Sequence, residues 1–109
     1  MDKIEIFVKD FSITPGSRYI DEGIKAHSGE EFRIKILEPK FREVVNNNTK
    51  IIVDLDGTIG YGTSWLEEVF GGLARNFGHK KVLEKLMFIS EEEDYLIDDI
   101  KQYIKDAEK

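Results

Sequence analysis

The sequence has no cysteine, two prolines and two histidines. Without cysteine there are no disulfides, no thiolate chemistry and no cysteine zinc site. His27 and His79 lie far apart with no ligand cluster around either, so no metal is expected. Long apolar runs are also missing: no stretch approaches the roughly 20 residues a membrane span needs, and no membrane association is expected. Positive charge is in short supply. Sixteen Lys and Arg face 22 Asp and Glu, for a net charge of -6. Tracking a phosphate backbone needs clustered cations, so nucleic acid is not an expected partner. Met1 to Lys9 lack a basic start followed by an apolar run, so no signal peptide is expected and the expected location is cytoplasmic. There is no internal repeat, low-complexity tract or interdomain linker. The 109 residues therefore read as one domain, 1–109, with one core.

What is present alternates between two periodicities. Ile4, Ile6 and Val8 alternate with charged neighbours, as a strand with one buried face does. Thr14-Pro15-Gly16-Ser17-Arg18 is turn chemistry. Ser28-Gly29-Glu30-Glu31 is a capping box that predicts a helix start near Gly29. From Phe32 to Leu37 helix and strand periods coincide; a helix kinked or broken near Pro39 and ended by Asn46-Asn47-Asn48 is the favoured reading. Ile51-Ile52-Val53 predicts a central strand buried on both faces. A loop carrying Gly57, Gly60 and Gly62 follows. Ser64 to Glu67 is a second capping box, predicting a helix with Trp65, Leu66, Val69, Phe70, Leu73 and Phe77 on its apolar face and Gly78 at its end. His79-Lys80-Lys81 reads as a solvated turn, and Leu86 to Ile89 predicts a strand. Ser90 and Glu93 form a third box before a terminal helix striped by Leu96, Ile97, Ile100, Ile104 and Ala107. Strands alternating with helices predict an α/β fold, a small mixed or parallel central sheet with helices packed against it.

Two resemblances converge on the middle of the chain. Ile51-Ile52-Val53-Asp54-Leu55-Asp56-Gly57-Thr58-Ile59 resembles the first motif of haloacid-dehalogenase-like phosphohydrolases. That resemblance implies a magnesium-dependent phosphatase with Asp54 as nucleophile and Asp56 as acid/base. A lysine and a later acidic pair should follow, but Asp98 and Asp99 fall inside the predicted terminal helix and precede Lys101. The second resemblance covers more of the chain. Thr14 to Arg18, Ser28 to Arg33, Val53 to Gly57 and Tyr61 to Leu73 fall in the order seen in the bacterial STAS-like family of unknown function, related in fold to anti-sigma factor antagonists. It extends roughly from Phe11 to Ala107.

This resemblance implies a non-enzymatic, cofactor-free regulatory module that binds a protein partner, such as a histidine-kinase-type ATPase acting as a serine kinase. Asp54-Leu55 and the later Gly62-Thr63-Ser64-Trp65-Leu66 place Ser64 on the phosphorylated serine of the antagonists, with Thr63 beside it. Gly62 replaces the acidic residue before that pair, and Trp65 the small residue after it. The expected partner contact is Gly60, Tyr61, Gly62, Trp65 and Glu68. A hydroxyl at a helix start also suits an N-cap, and a cap closed by Glu67 is the favoured reading of Ser64. Trp65 reads as an exposed anchor or as core. Arg18, after a glycine-containing turn, is a candidate anion clamp or the partner of a nearby carboxylate. Gly71 and Gly72 inside a helix predict a close backbone contact, internal or with another chain, the internal one favoured. Size and acidity alone also fit a third reading, an acidic inhibitor of the kind phage make against host enzymes. The oligomeric state is not legible.

Overall fold

The protein is described by a computed structural model covering residues 2–13, 15 and 28–107. Arg18, His27 and most of the Thr14 to Arg18 turn lie outside the described residues. Three strands, β1 (Lys3–Phe7), β2 (Lys50–Asp54) and β3 (Leu86–Ile89), form a parallel sheet in the order β1-β2-β3. Of the mixed or parallel alternatives, the parallel one holds. Ile4 pairs with Ile51 and Ile51 with Leu86; Ile6 pairs with Val53 and Val53 with Phe88. These rows form one face of the sheet, and the edge-to-face contact of Phe88 with Phe70 at 5.5 Å shows that the helices cover it. The opposite face carries Glu5, Ile52 and Met87. Ile52 is buried at the centre of that face, but it lies outside the cluster that joins Ile51 and Val53 to the helices, and Glu5 and Met87 beside it are exposed. The expectation of a central strand buried on both faces holds, since Ile51, Ile52 and Val53 are all buried and point to alternate sides.

The alternation that predicted a strand through Val8 ends at Phe7, where the chain enters the short helix α1 (Val8–Phe11). Phe7 faces Asp54, the last residue of β2. The register with β2 ends at that pair, and Val8 is buried within the helix α1 instead.

The first long helix runs without interruption from 29 to 44 as α2 (Gly29–Phe32), a π-helical segment Arg33–Leu37 and α3 (Glu38–Val44). Ser28 caps it, its Oγ accepting from the Glu31 amide at 3.0 Å. Pro39 neither breaks nor ends it. Proline has no amide to donate and crowds the preceding turn; here the widened turn just before it, with the Glu38 N–H reaching the Arg33 carbonyl five residues back, takes up the mismatch. The asparagine run does end the helix: the Asn47 side chain donates to the Glu43 carbonyl at 3.2 Å and accepts from the Thr49 amide at 2.7 Å.

The second long helix, 63 to 77, repeats this plan as α4 (Thr63–Leu66), a π-helical segment Glu67–Gly71 and α5 (Gly72–Phe77). Gly78, at φ 97°, turns the chain out of it. The next residues form a helix, α6 (His79–Lys85), rather than the expected turn. Val82 is its buried contact, and Lys85 reaches the Asn47 carbonyl at the far end of the first helix. The terminal helix α7 (Tyr95–Asp106) buries Leu96, Ile100 and Ile104. It begins four residues later than the Ser90 box predicted, because Ser90 donates to the Glu93 carbonyl at 2.7 Å and the Glu93 carboxylate accepts from the Tyr95 phenol at 2.9 Å. Among the described residues no helix is long and apolar enough to cross a membrane.

Candidate functional site

In a parallel sheet the loops that leave the carboxyl ends of the strands gather at one edge, where ligands and partners are usually met. Here that edge holds the β2–α4 loop, residues 55 to 62. Asp54, the last residue of β2, accepts from the Asp56 amide through Oδ1 at 3.0 Å, closing a local turn. Both Asp56 oxygens are engaged by the next loop: Oδ2 accepts from the Glu91 amide and Oδ1 from the Glu92 amide, each at 3.0 Å. The Glu92 carboxylate returns the contact by accepting from the Gly57 amide at 2.9 Å. Gly57 sits at φ 91°, a backbone conformation that favours glycine, and a Cβ there would also displace the Lys9 side chain, whose Cδ lies 2.6 Å away. The phosphatase-like pair therefore stitches two loops together. Asp98 and Asp99 lie exposed on α7, as their order in the chain implied.

The rest of the loop is tied to the segment after α1. The Ile59 amide donates to the Ile13 carbonyl at 2.7 Å, and the Gly62 amide to the Pro15 carbonyl at 2.8 Å. Tyr61 donates its hydroxyl to the Leu55 carbonyl at 2.7 Å and lays its ring against Trp65, 5.7 Å between centroids. Burial pushes the pKa of the Tyr61 phenol up, and the charges of Asp54, Asp56 and Glu93 push it the same way.

Gly62 is the N-cap of the second long helix, and no side chain caps it. The Ser64 to Glu67 box does not form. Ser64 lies inside the first turn, exposed beside the exposed Thr63, and the Glu67 carboxylate pairs with Arg75 at 2.7 Å. The cap reading of Ser64 is thereby replaced by that of a solvent-facing hydroxyl at a helix start, where unpaired amides favour an anion.

Two residues expected in the partner contact belong to the interior. Trp65 is fully buried and packs on Phe32 at 5.1 Å. Glu68 is also buried, accepting from Arg33 at 2.9 Å. Arg33 reaches Glu38 as well, at 2.6 Å, and Glu38 is shared with Asn76 at 2.7 Å and Arg42 at 3.4 Å. Burial disfavours the guanidinium charge, but the two carboxylates outweigh it and hold the Arg33 pKa above its ordinary value. The network clamps the two long helices together behind Ser64. It also explains the glycines. A Cβ on Gly72 would stand 2.6 Å from Arg33 Nε, and one on Gly29 would stand 2.9 Å from the Trp65 carbonyl. The close approach at Gly72 is thus to a side chain of the other helix. At Gly71 the nearest atoms, Glu67 and Arg75, belong to its own helix.

Sequence reasoning missed the apolar part of this edge. Ile59 is 78% exposed and Ile13 53% exposed, side by side through their backbone hydrogen bond. Isolated isoleucines in polar loops carry no periodic signal, and the pair exists only once the loops meet.

The family model for a STAS-like domain of unknown function matches residues 28–96. The chain belongs to that family. Within this STAS-like domain the matched stretch runs from the Ser28 cap to the first turn of α7, so it contains both long helices, the Arg33 clamp and the whole 55 to 62 loop. No curated protein matches the chain. No solved structure matches it either. As expected from the resemblance, the domain is a mixed α/β unit built around a parallel sheet.

Proposed function

We propose that this chain is a non-enzymatic regulatory module that docks a protein partner on the 55 to 64 loop edge, with phosphorylation of Ser64 or Thr63 turning docking off. The observation that carries the reading is the position of the Ser64 hydroxyl: exposed in the first turn of a helix whose cap is Gly62. A kinase therefore reaches it without unpicking a capping bond. Beside it, Ile59 and Ile13 supply the apolar contact that a docking surface needs. A phosphate at Ser64 adds about two negative charges next to that contact, which repels an acidic surface and desolvates poorly. The partner class that fits is an ATPase acting as a serine kinase. Gly60, Tyr61 and Gly62 contribute as the backbone that presents Ile59 and the helix start, while Trp65 and Glu68 support it from within. With both Asp56 oxygens engaged by backbone amides, the phosphatase reading gains nothing from the geometry.

The test is to incubate the chain with a candidate serine-kinase ATPase and ATP, map modified residues by mass spectrometry, and measure binding of the wild type and of Ser64→Asp. Modification at Ser64 or Thr63, with binding lost in Ser64→Asp, is expected. Absence of phosphate at both residues together with undiminished binding by Ser64→Asp overturns the switch.

A further inference from the structure

On the β1 flank of the sheet a groove of about 440 Å³ runs beside the strand. Its floor is Ile6, Phe32 and Ile36, and Phe11 closes one end against Phe32, 5.2 Å between ring centroids. Glu5 and Asp10 stand exposed on its rim, with Lys40 across from them. Among the described residues β1 is an edge strand. Alternate residues of such a strand point their N–H and C=O groups outward, a template for one more strand.

We infer that this groove accepts an extended, basic segment of a partner protein, added to the sheet along β1. The spacing of the groove dictates the ligand. A strand paired to Lys3–Phe7 alternates its side chains between the two sides of the sheet. On the helix side one apolar side chain drops between Ile6, Phe32 and Ile36. On the other side a Lys or Arg meets Glu5, and Asp10 favours a second cation near the end of α1. The same charge argues against a second copy of this chain. Antiparallel pairing over all five residues of β1 sets Glu5 against Glu5, and like charges directly opposite destabilise a strand pair. None of the residues lining the groove is Ile13, Ile59, Thr63 or Ser64.

The probe is a fluorescein-labelled seven-residue peptide alternating Lys and Val, with a Glu and Val peptide as its charge-reversed control, titrated against the full chain by anisotropy at low salt. The Lys peptide binds and the Glu peptide does not. Glu5→Lys weakens the Lys peptide by about tenfold, 1.4 kcal/mol, and raises binding of the Glu peptide. Ile36→Arg, at a half-buried position, removes binding with an unchanged circular dichroism spectrum. Amide shifts in the bound state map to Ile4 to Phe7. No binding of the Lys peptide, equal binding of both peptides, or shifts mapping to Ile59 to Leu66 overturns the inference. So does a dimer of the free chain by sedimentation that dissociates on Glu5→Lys, since the edge then belongs to a second copy. None of these readouts depends on Ser64, so they fail or succeed separately from the proposed switch.

Discussion

Ser64 separates two roles that the same hydroxyl can play. As a cap it would hold the helix, and Ser64→Ala would destabilise the domain by about 1 kcal/mol. Exposed inside the first turn of a helix capped by Gly62, it contributes little, and Ser64→Ala is expected to change urea stability by no more than about 0.5 kcal/mol. Ser28→Ala, which removes a cap bond formed at 3.0 Å, is the matched comparison and should show the loss of about 1 kcal/mol in the same denaturation series. Tyr61 offers a residue-scale test of the loop. Its folded pKa is raised, chiefly by burial, above an unfolded value of about 10. The folded state then holds the phenolic proton more tightly than the unfolded state. The associated stability is fully present below about pH 10 and declines as the pH climbs above it. Tyr61→Phe should make that alkaline decline shallower in thermal melts. Both roles rest on particular contacts, which no letter in the chain records.

The elements are coupled through their loops and through one buried charge cluster. Asp56 joins the loop after β2 to the loop after β3 by accepting two backbone amides. Asp56→Ala removes both of these solvent-exposed bonds and should lower stability by about 0.5–1.5 kcal/mol. Faster hydrogen exchange at Glu91 and Glu92 is the local signature to look for. Between the long helices, Arg33 lies against Gly72 and holds Glu38 and Glu68. Gly72→Ala pushes a methyl group into the guanidinium, an overpacking expected to cost about 1–3 kcal/mol. Arg33→Ala instead strands two buried carboxylates, and a larger loss of about 3–5 kcal/mol is expected. If denaturation ranks the two variants the other way, the clamp is secondary to packing. The π-helical turns belong to this scale as well. The one in the first helix ends at the residue before Pro39, and the other leads into Gly72. Each lets the helix pass a residue that regular α geometry handles poorly.

At the scale of the whole molecule, the carboxyl edge of the sheet and its β1 flank are the surfaces on which the two proposals rest. Ile59, 78% exposed, can be replaced without disturbing the core. Ile59→Asp should leave the melting temperature within about 2 °C of wild type, since exposed changes rarely exceed about 0.5 kcal/mol. Capture of the proposed ATPase partner should nonetheless fall, read by surface plasmon resonance. Much of this architecture was legible beforehand. Period-two alternation marked β1 to within two residues, the β-branched run marked β2, and the Leu86 to Ile89 run marked β3. Apolar stripes found the two long helices and α7, because burial of one face imposes a period that survives in the letters. Helix starts were less legible. Of three capping boxes only Ser28 caps its helix, since a box states which bonds are available and tertiary packing chooses among the competitors. The helix α6 was missed because a seven-residue amphipathic turn of chain bounded by Gly78 and β3 carries too little period to register. At the site, the sequence by itself determined the family, the strand that ends in Asp54 and the serine that opens the next helix. Only the tertiary structure decided that Ser64 faces solvent, that Trp65 and Glu68 face the core, and that Ile13 and Ile59 share an edge. Local letters encode periodicity and available hydrogen bonds, but which side of an element meets the core depends on partners distant in the chain.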